Sequence, residues 1–166
     1  MDPVLRNTFE EIYDSFASEL YRYVQLRISD KEAVEDVMAD MFVRFWKRQL
    51  SGQAIQNPRA LLYSIAHGLI VDAYRRAGVR AHAAIEDVEE SALGVEDDTE
   101  EFIARRQSYE EIVQSLDKIH PDYKDLILLH YVQDVPISEI AEIVQKKEGT
   151  VRVQLHRALK ALKQHI

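Results

Sequence analysis

The side chains with most to offer chemically lie near the C-terminus. Residues 146–166 hold six Lys/Arg against a single acid, Glu148. At helical spacing His156, Arg157 and Lys160 share a side, with Arg152 on its flank. Cations in that pattern can neutralise phosphates, and a guanidinium can fork onto a guanine edge. Val153 lies opposite Val151 and Leu155, so it is expected to point outward among these cations, where it can meet a thymine methyl; the alternative is that it packs against the preceding helix and never meets DNA. A second constellation is Arg59, Tyr63, His67, Tyr74, Arg75 and Arg76. These residues can share one helix surface, with cations for phosphates and rings for unpaired bases; the same ring spacing also suits an ordinary core. A third sets Asp36, Asp40 and Arg44 beside Phe42 and Trp46, as in an interface with a charged rim; the two rings also suit an ordinary core. Catalysis finds no comparable footing. Of His67, His82, His120, His130, His156 and His165, His130 falls four residues from an acid, Asp134, at helical spacing, and no third ligand is evident. There is no cysteine, no phosphate-binding glycine loop and no defensible Ser/His/Asp set. A non-enzyme without cofactor or metal is expected.

These residues need helices to hold them. The C-terminal stretch reads as a short helix with Ser138 as N-cap, an interruption at 145–148, and a second helix from about Gly149. Val151, Leu155, Ala158, Leu159 and Leu162 give the second helix an apolar stripe. A short helix, a tight turn and a helix with a cationic outer face make a helix-turn-helix, whose second helix fits the major groove. Earlier, Phe9, Ile12, Tyr13, Phe16, Leu20, Tyr23 and Val24 predict a helix over 7–28. Ser29 with Glu32 predicts a capping box for a helix reaching about Arg48. Ser51 and Gly52 mark a loop to Gln56. Asn57-Pro58 then starts a third helix that Gly78 stops. Leu61, Leu62, Ile65, Leu69 and Val71 supply its core side. Helical pattern resumes near Phe102, and Pro121 starts a further helix. The fold class is therefore all-α, with two small helical domains, 1–78 and 102–166, joined by a flexible acidic linker over 79–101.

The net charge is −8 over 166 residues. Residues 78–104 carry nine acids and one base, while the flanking parts are nearly balanced. Local rather than total charge decides the partner, so nucleic acid remains compatible. The acidic run should stay extended, as a tether or as a strand lying in a basic channel of a partner. No long apolar run and no secretory signal is present, which predicts a cytoplasmic protein with no membrane insertion.

Three stretches together resemble one family. EDVMADMFVRFWK (35–47), NPRALLYSIAHGLIVDAYRR (57–76) and PISEIAEIVQKKEGTVRVQLHRALKAL (136–162) are similar to the extracytoplasmic-function group of bacterial sigma-70 factors, the subunits that direct RNA polymerase to promoters. The resemblance implies that Asp36, Asp40, Phe42, Arg44 and Trp46 dock on core RNA polymerase. It implies minus-ten DNA contacts by Arg48, Arg59, Tyr63, His67, Tyr74, Arg75 and Arg76, with the loop 48–56 capturing a flipped promoter base. Minus-thirty-five contacts fall on Lys147, Thr150, Arg152, Val153, His156, Arg157 and Lys160. Promoter DNA and an anti-sigma factor are the other implied partners. The chain departs from the family in carrying His67-Gly68 where Arg-Asn is common, and Gln145 where glycine is usual in the turn. A helix-turn-helix regulator acting without polymerase, or a helical adaptor, would explain only part of the pattern.

Overall fold

A computed structural model of the chain describes residues 3–78 and 109–166, with side chains from Thr8 onward in the first segment. The expected acidic linker and the helix start near Phe102 lie outside the described residues. Those described form helices and the segments that join them, with no strand among them, and they fall in two compact units, one within 1–81 and one within 82–166.

The first unit is a bundle of α1 (Pro3–Arg27), α2 (Lys31–Leu50) and α3 (Pro58–Arg76), each packed on the other two. Leu20, Tyr23, Met41, Phe45, Leu62 and Ile70 are fully buried between them. Spacing alone places Leu61, Ile65 and Val71 in this core. They are half-buried instead, because Ala66 and Ile70 turn inward with Leu62 and Leu69. The α1–α2 turn also differs from expectation. The N-cap of α2 is Asp30, which makes no side-chain cap bond. With Asp30 at N-cap, Glu32 is only two residues on and cannot complete a capping box with Ser29; its charge still favours the helix N-terminus. Asn57 does cap α3, its Oδ1 accepting from the Ala60 N–H at 3.0 Å, and Pro58 fills the first helical position. Gly78, at φ +67°, ends the segment.

The second unit contains α4 (Tyr109–Leu116), α5 (Pro121–Ile127), α6 (Ile137–Val144) and α7 (Glu148–Lys163). Both α5 and α6 pack on α7. The Lys124 ammonium reaches Asp117 just beyond α4 at 2.6 Å, and Ser115 Oγ lies 3.1 Å from the His165 carbonyl oxygen. Leu126, Ile127, Leu128 and Leu129 are all buried, more than one face of a regular helix accommodates. The backbone there widens into a π turn over Leu128–Val132, with Gln133 N–H bonded to the Leu128 carbonyl. This turn ends at Asp134, exposed and at φ +53°, and His130 Nδ1 lies 3.1 Å from the Val135 carbonyl oxygen. The N-cap of α6 is Pro136, so Ser138 sits inside the helix and not at the cap position expected from the sequence.

The turn between α6 and α7 closes as a Schellman motif. Lys146 N–H bonds the Ala141 carbonyl at 2.9 Å, and Gln145 N–H bonds Glu142 at 3.3 Å. This places Gln145 in the left-handed region, φ +56° and ψ +48°, where glycine is favoured. Gln145→Gly should therefore stabilise the protein by about 0.5–1 kcal/mol, and Asn57→Ala should destabilise it by about 1 kcal/mol. Denaturant unfolding followed by helical circular dichroism checks both.

Candidate nucleic-acid and polymerase interfaces

In α7 the burial of Val151, Leu155, Ala158, Leu159 and Leu162 leaves the opposite side to polar groups. Lys147, Arg152, Arg157, Lys160 and Lys163 are exposed, and Thr150 and His156 are half-buried. Arg152 is held one turn from Glu148 by a 3.1 Å ion pair. The cationic face expected from the sequence is thus present, with one correction. Val153 is buried, at 1% exposure, and so is its neighbour Gln154. A helical wheel assumes one covered side. Here four of the five residues from Val151 to Leu155 are enclosed, and Lys146 from the turn folds back to donate to Gln154 Oε1 at 3.1 Å. Val153 therefore cannot offer its methyls to a thymine as it stands.

The residues grouped on α3 divide. Arg59, Tyr63, His67 and Tyr74 lie along one arc of the helix, and contacts to α1 occupy three of them. Tyr63 is fully buried, edge-on to Tyr23 at 5.3 Å. Its phenol pKa is raised by burial first and by the Glu19 charge second. Arg59 pairs with Glu19 at 2.8 Å. The Tyr74 hydroxyl donates to the Arg27 carbonyl, and the Arg27 guanidinium lies 5.3 Å from the Tyr74 ring centre. Base stacking by Tyr63 is excluded by its burial, a correction to the stacking surface expected from spacing. The half-buried His67 has its Nδ1 turned inward. Arg75 and Arg76 are exposed at the end of α3, and Arg48 is exposed at the end of α2. Gly68 also faces outward, and a Cβ added there would meet nothing within 4 Å.

On α2, Asp36 is exposed and Asp40 and Arg44 form a two-pronged pair, both bonds 3.1 Å. Phe42 does not belong to this surface. It is 6% exposed and packs against Phe9 and Tyr13 of α1, because that side of α2 carries the α1–α2 seam. Trp46 is half-buried against Phe9, ring centres 4.9 Å apart. Val43 does stand outside, 48% exposed beside the Asp40–Arg44 pair, as does Leu50 at the end of the helix. Sequence reasoning passed over Val43, although its place opposite Phe45 on the helical wheel was the available signal. Among the described residues no group of three His, Cys, Asp or Glu could hold a metal ion, and no helix is long and apolar enough to cross a membrane.

Two family models match the chain in this order: sigma-70 region 2 over residues 12–80, and sigma-70 region 4 over residues 109–162. They coincide with the two structural units. The chain is similar to the sigma factor SigX of Bacillus subtilis, 24% identical over 98% of this chain and 85% of that protein. YlaC of the same organism is 27% identical over 97% of this chain and 93% of its own length. SigL of Mycobacterium tuberculosis is 26% identical over 92% and 85%. A solved structure of the sigma factor RpoE, in complex with the anti-sigma factor NepR from Bartonella quintana, has the same fold. Its TM-score is 0.71 at 18% identity, over 95% of this chain and 96% of that one. The chain belongs to the sigma-70 family, in its extracytoplasmic-function group. Sigma factors of this family are not themselves enzymes.

With Val153 inside, Val153→Ser should act on stability. A hydroxyl in that site should cost about 1–3 kcal/mol, measurable as a lower denaturant midpoint. Gly68→Ala, in open space, should instead raise stability by about 0.5–1 kcal/mol.

Proposed function

We propose that this protein binds core RNA polymerase through the outer face of α2 and carries it to promoters read by α3 and α7. The observation that carries this reading is the pairing of two unlike surfaces. The second unit has a helix-turn-helix with an exposed cationic face. The first has a helix whose outer face sets Asp36, Asp40 and Arg44 around an exposed valine. A DNA-binding regulator acting alone would use the cationic face of α7 and leave the outer face of α2 without a partner.

In this reading Asp36, Asp40, Val43 and Arg44 dock on polymerase, with Trp46 at the margin. Arg48, Arg75 and Arg76, with His67 and Tyr74 where they reach the surface of α3, meet the minus-ten element beside the loop 51–57. Lys147, Thr150, Arg152, His156, Arg157 and Lys160 meet the minus-thirty-five element. The domains are 1–78 and 102–166, and the acidic residues 79–101 tether them. The site of action is the cytoplasm, the role is non-catalytic and needs no cofactor, and an anti-sigma protein holds the factor inactive. Support for that last partner is the solved relative bound to one.

Run-off transcription with purified core polymerase on a genomic promoter library tests the proposal. Promoter-specific transcripts should appear only when this protein is added, and absence of both transcripts and co-purification with core would overturn it. Asp40→Arg should weaken core binding in a pull-down while helicity is kept. Arg157→Ala should weaken holoenzyme binding to the minus-thirty-five element by about 1–3 kcal/mol if it reads a base. If Arg157 instead clamps a phosphate, the loss should be uniform across sequences, and the salt slope should fall by about one.

A further inference from the structure

Glu19 lies on neither proposed surface, yet two side chains of α3 converge on it. Its Oε1 accepts from Arg59 Nε at 2.8 Å and from the Tyr63 hydroxyl at 3.3 Å. The Arg59 guanidinium lies 5.3 Å from the centre of the Tyr63 ring. The Arg59 and Glu19 side chains are 25% and 31% exposed, so solvent screens this pair less than one on the open surface. Burial keeps the Tyr63 phenol protonated and available as a donor across the ordinary pH range.

The position of this cluster gives it its consequence. Arg59 is the second residue of α3, with only Pro58 between it and the loop 51–57. The other end of that loop is held where Ser51 Oγ donates to the Arg48 carbonyl at 2.7 Å and Gly52 turns the chain at φ +76°. Asn57 closes the first turn of α3. Through Arg59 and Tyr63, Glu19 ties this first turn to the middle of α1. A guanidinium fixed on α1 cannot follow a passing phosphate. It can fix the angle at which the start of α3 leaves the loop.

We infer that Glu19 is a positioning residue for promoter opening: through Arg59 and Tyr63 it sets where the loop 51–57 and the first turn of α3 meet the separated DNA strand. This rests on the promoter-directing role proposed above. It also removes Arg59 from the set of direct DNA contacts, since its cation is matched inside the protein.

The test uses the full chain, alone and in holoenzyme, with Glu19→Gln, Arg59→Gln and the double variant. In the free protein, hydrogen exchange at the amides of residues 59–63 should quicken in Glu19→Gln, while those of α2 stay protected. Unchanged exchange at 59–63 would overturn the inference whatever transcription shows. In holoenzyme, on a promoter the parent opens, 2-aminopurine fluorescence in the minus-ten element reports the opening rate. Each single variant should slow opening by about tenfold, as expected when reacting parts are slightly misplaced. Core affinity should stay unchanged, and the double variant should be no slower than either single one. The salt slope of promoter binding should also be the same for Arg59→Gln as for the parent. Parallel loss of core affinity and opening, multiplying effects in the double variant, or a reduced salt slope would each overturn the inference. Glu19→Asp, which keeps the charge and shortens the reach, should open at an intermediate rate and serves if the amide variant folds poorly. A parent holoenzyme that opens no promoter would count against the promoter-directing role, and the exchange measurement would still decide on Glu19.

Discussion

The burial of one side of α7 under α5 and α6 is the constraint on which the rest of the second unit depends. Val151, Leu155, Ala158, Leu159 and Leu162 are each 4% exposed or less. Fully burying a large aliphatic side chain is worth about 1.5–3 kcal/mol, against at most about 1 kcal/mol for an exposed ion pair such as Arg152–Glu148. The apolar side therefore sets the rotation of the helix, and the cations take the directions left over. Arg157 and Lys160 face outward because the core claims the opposite side.

The first unit solves the same problem with three helices. The pairs Glu19–Arg59, Tyr23–Tyr63 and Arg27–Tyr74 advance together along α1 and α3, so the two helices run in the same direction. Basic and aromatic residues that resemble a nucleic-acid surface on paper are partly spent on this joint. What remains outside on α3 is sparse: Gly68, Asp72, Arg75 and Arg76. Asp72 lies 4.0 Å from Arg75, so even there a carboxylate accompanies one of the cations. On α3 the exposed cations are thus few for a member of a promoter-directing family.

The net charge of −8 is no obstacle to this role. Electrostatic attraction to DNA is screened over about 8–10 Å at physiological salt, so a compact cationic face acts largely on its own. The exposed cations of α7 meet only Glu148 as an acid of the same helix.

Much of this could be read from the chain without coordinates. The helix over 58–76, its Asn57-Pro58 start and its glycine stop are local matters, decided by φ preferences and by which N–H groups need an acceptor. The interruption after Val144 and the outward Arg152, Arg157 and Lys160 follow from apolar spacing in the same local way, although the second helix begins at Glu148 and not near Gly149. Only the tertiary structure decided which arc of each helix is covered and by what. It enclosed Val153 and Tyr63, set Phe42 into the α1–α2 seam, gave Arg59 to Glu19, and widened the helix at Leu128–Val132. Periodicity says that a helix has sides. It carries no information about how many neighbours press on it, and burial is the sum over all of them.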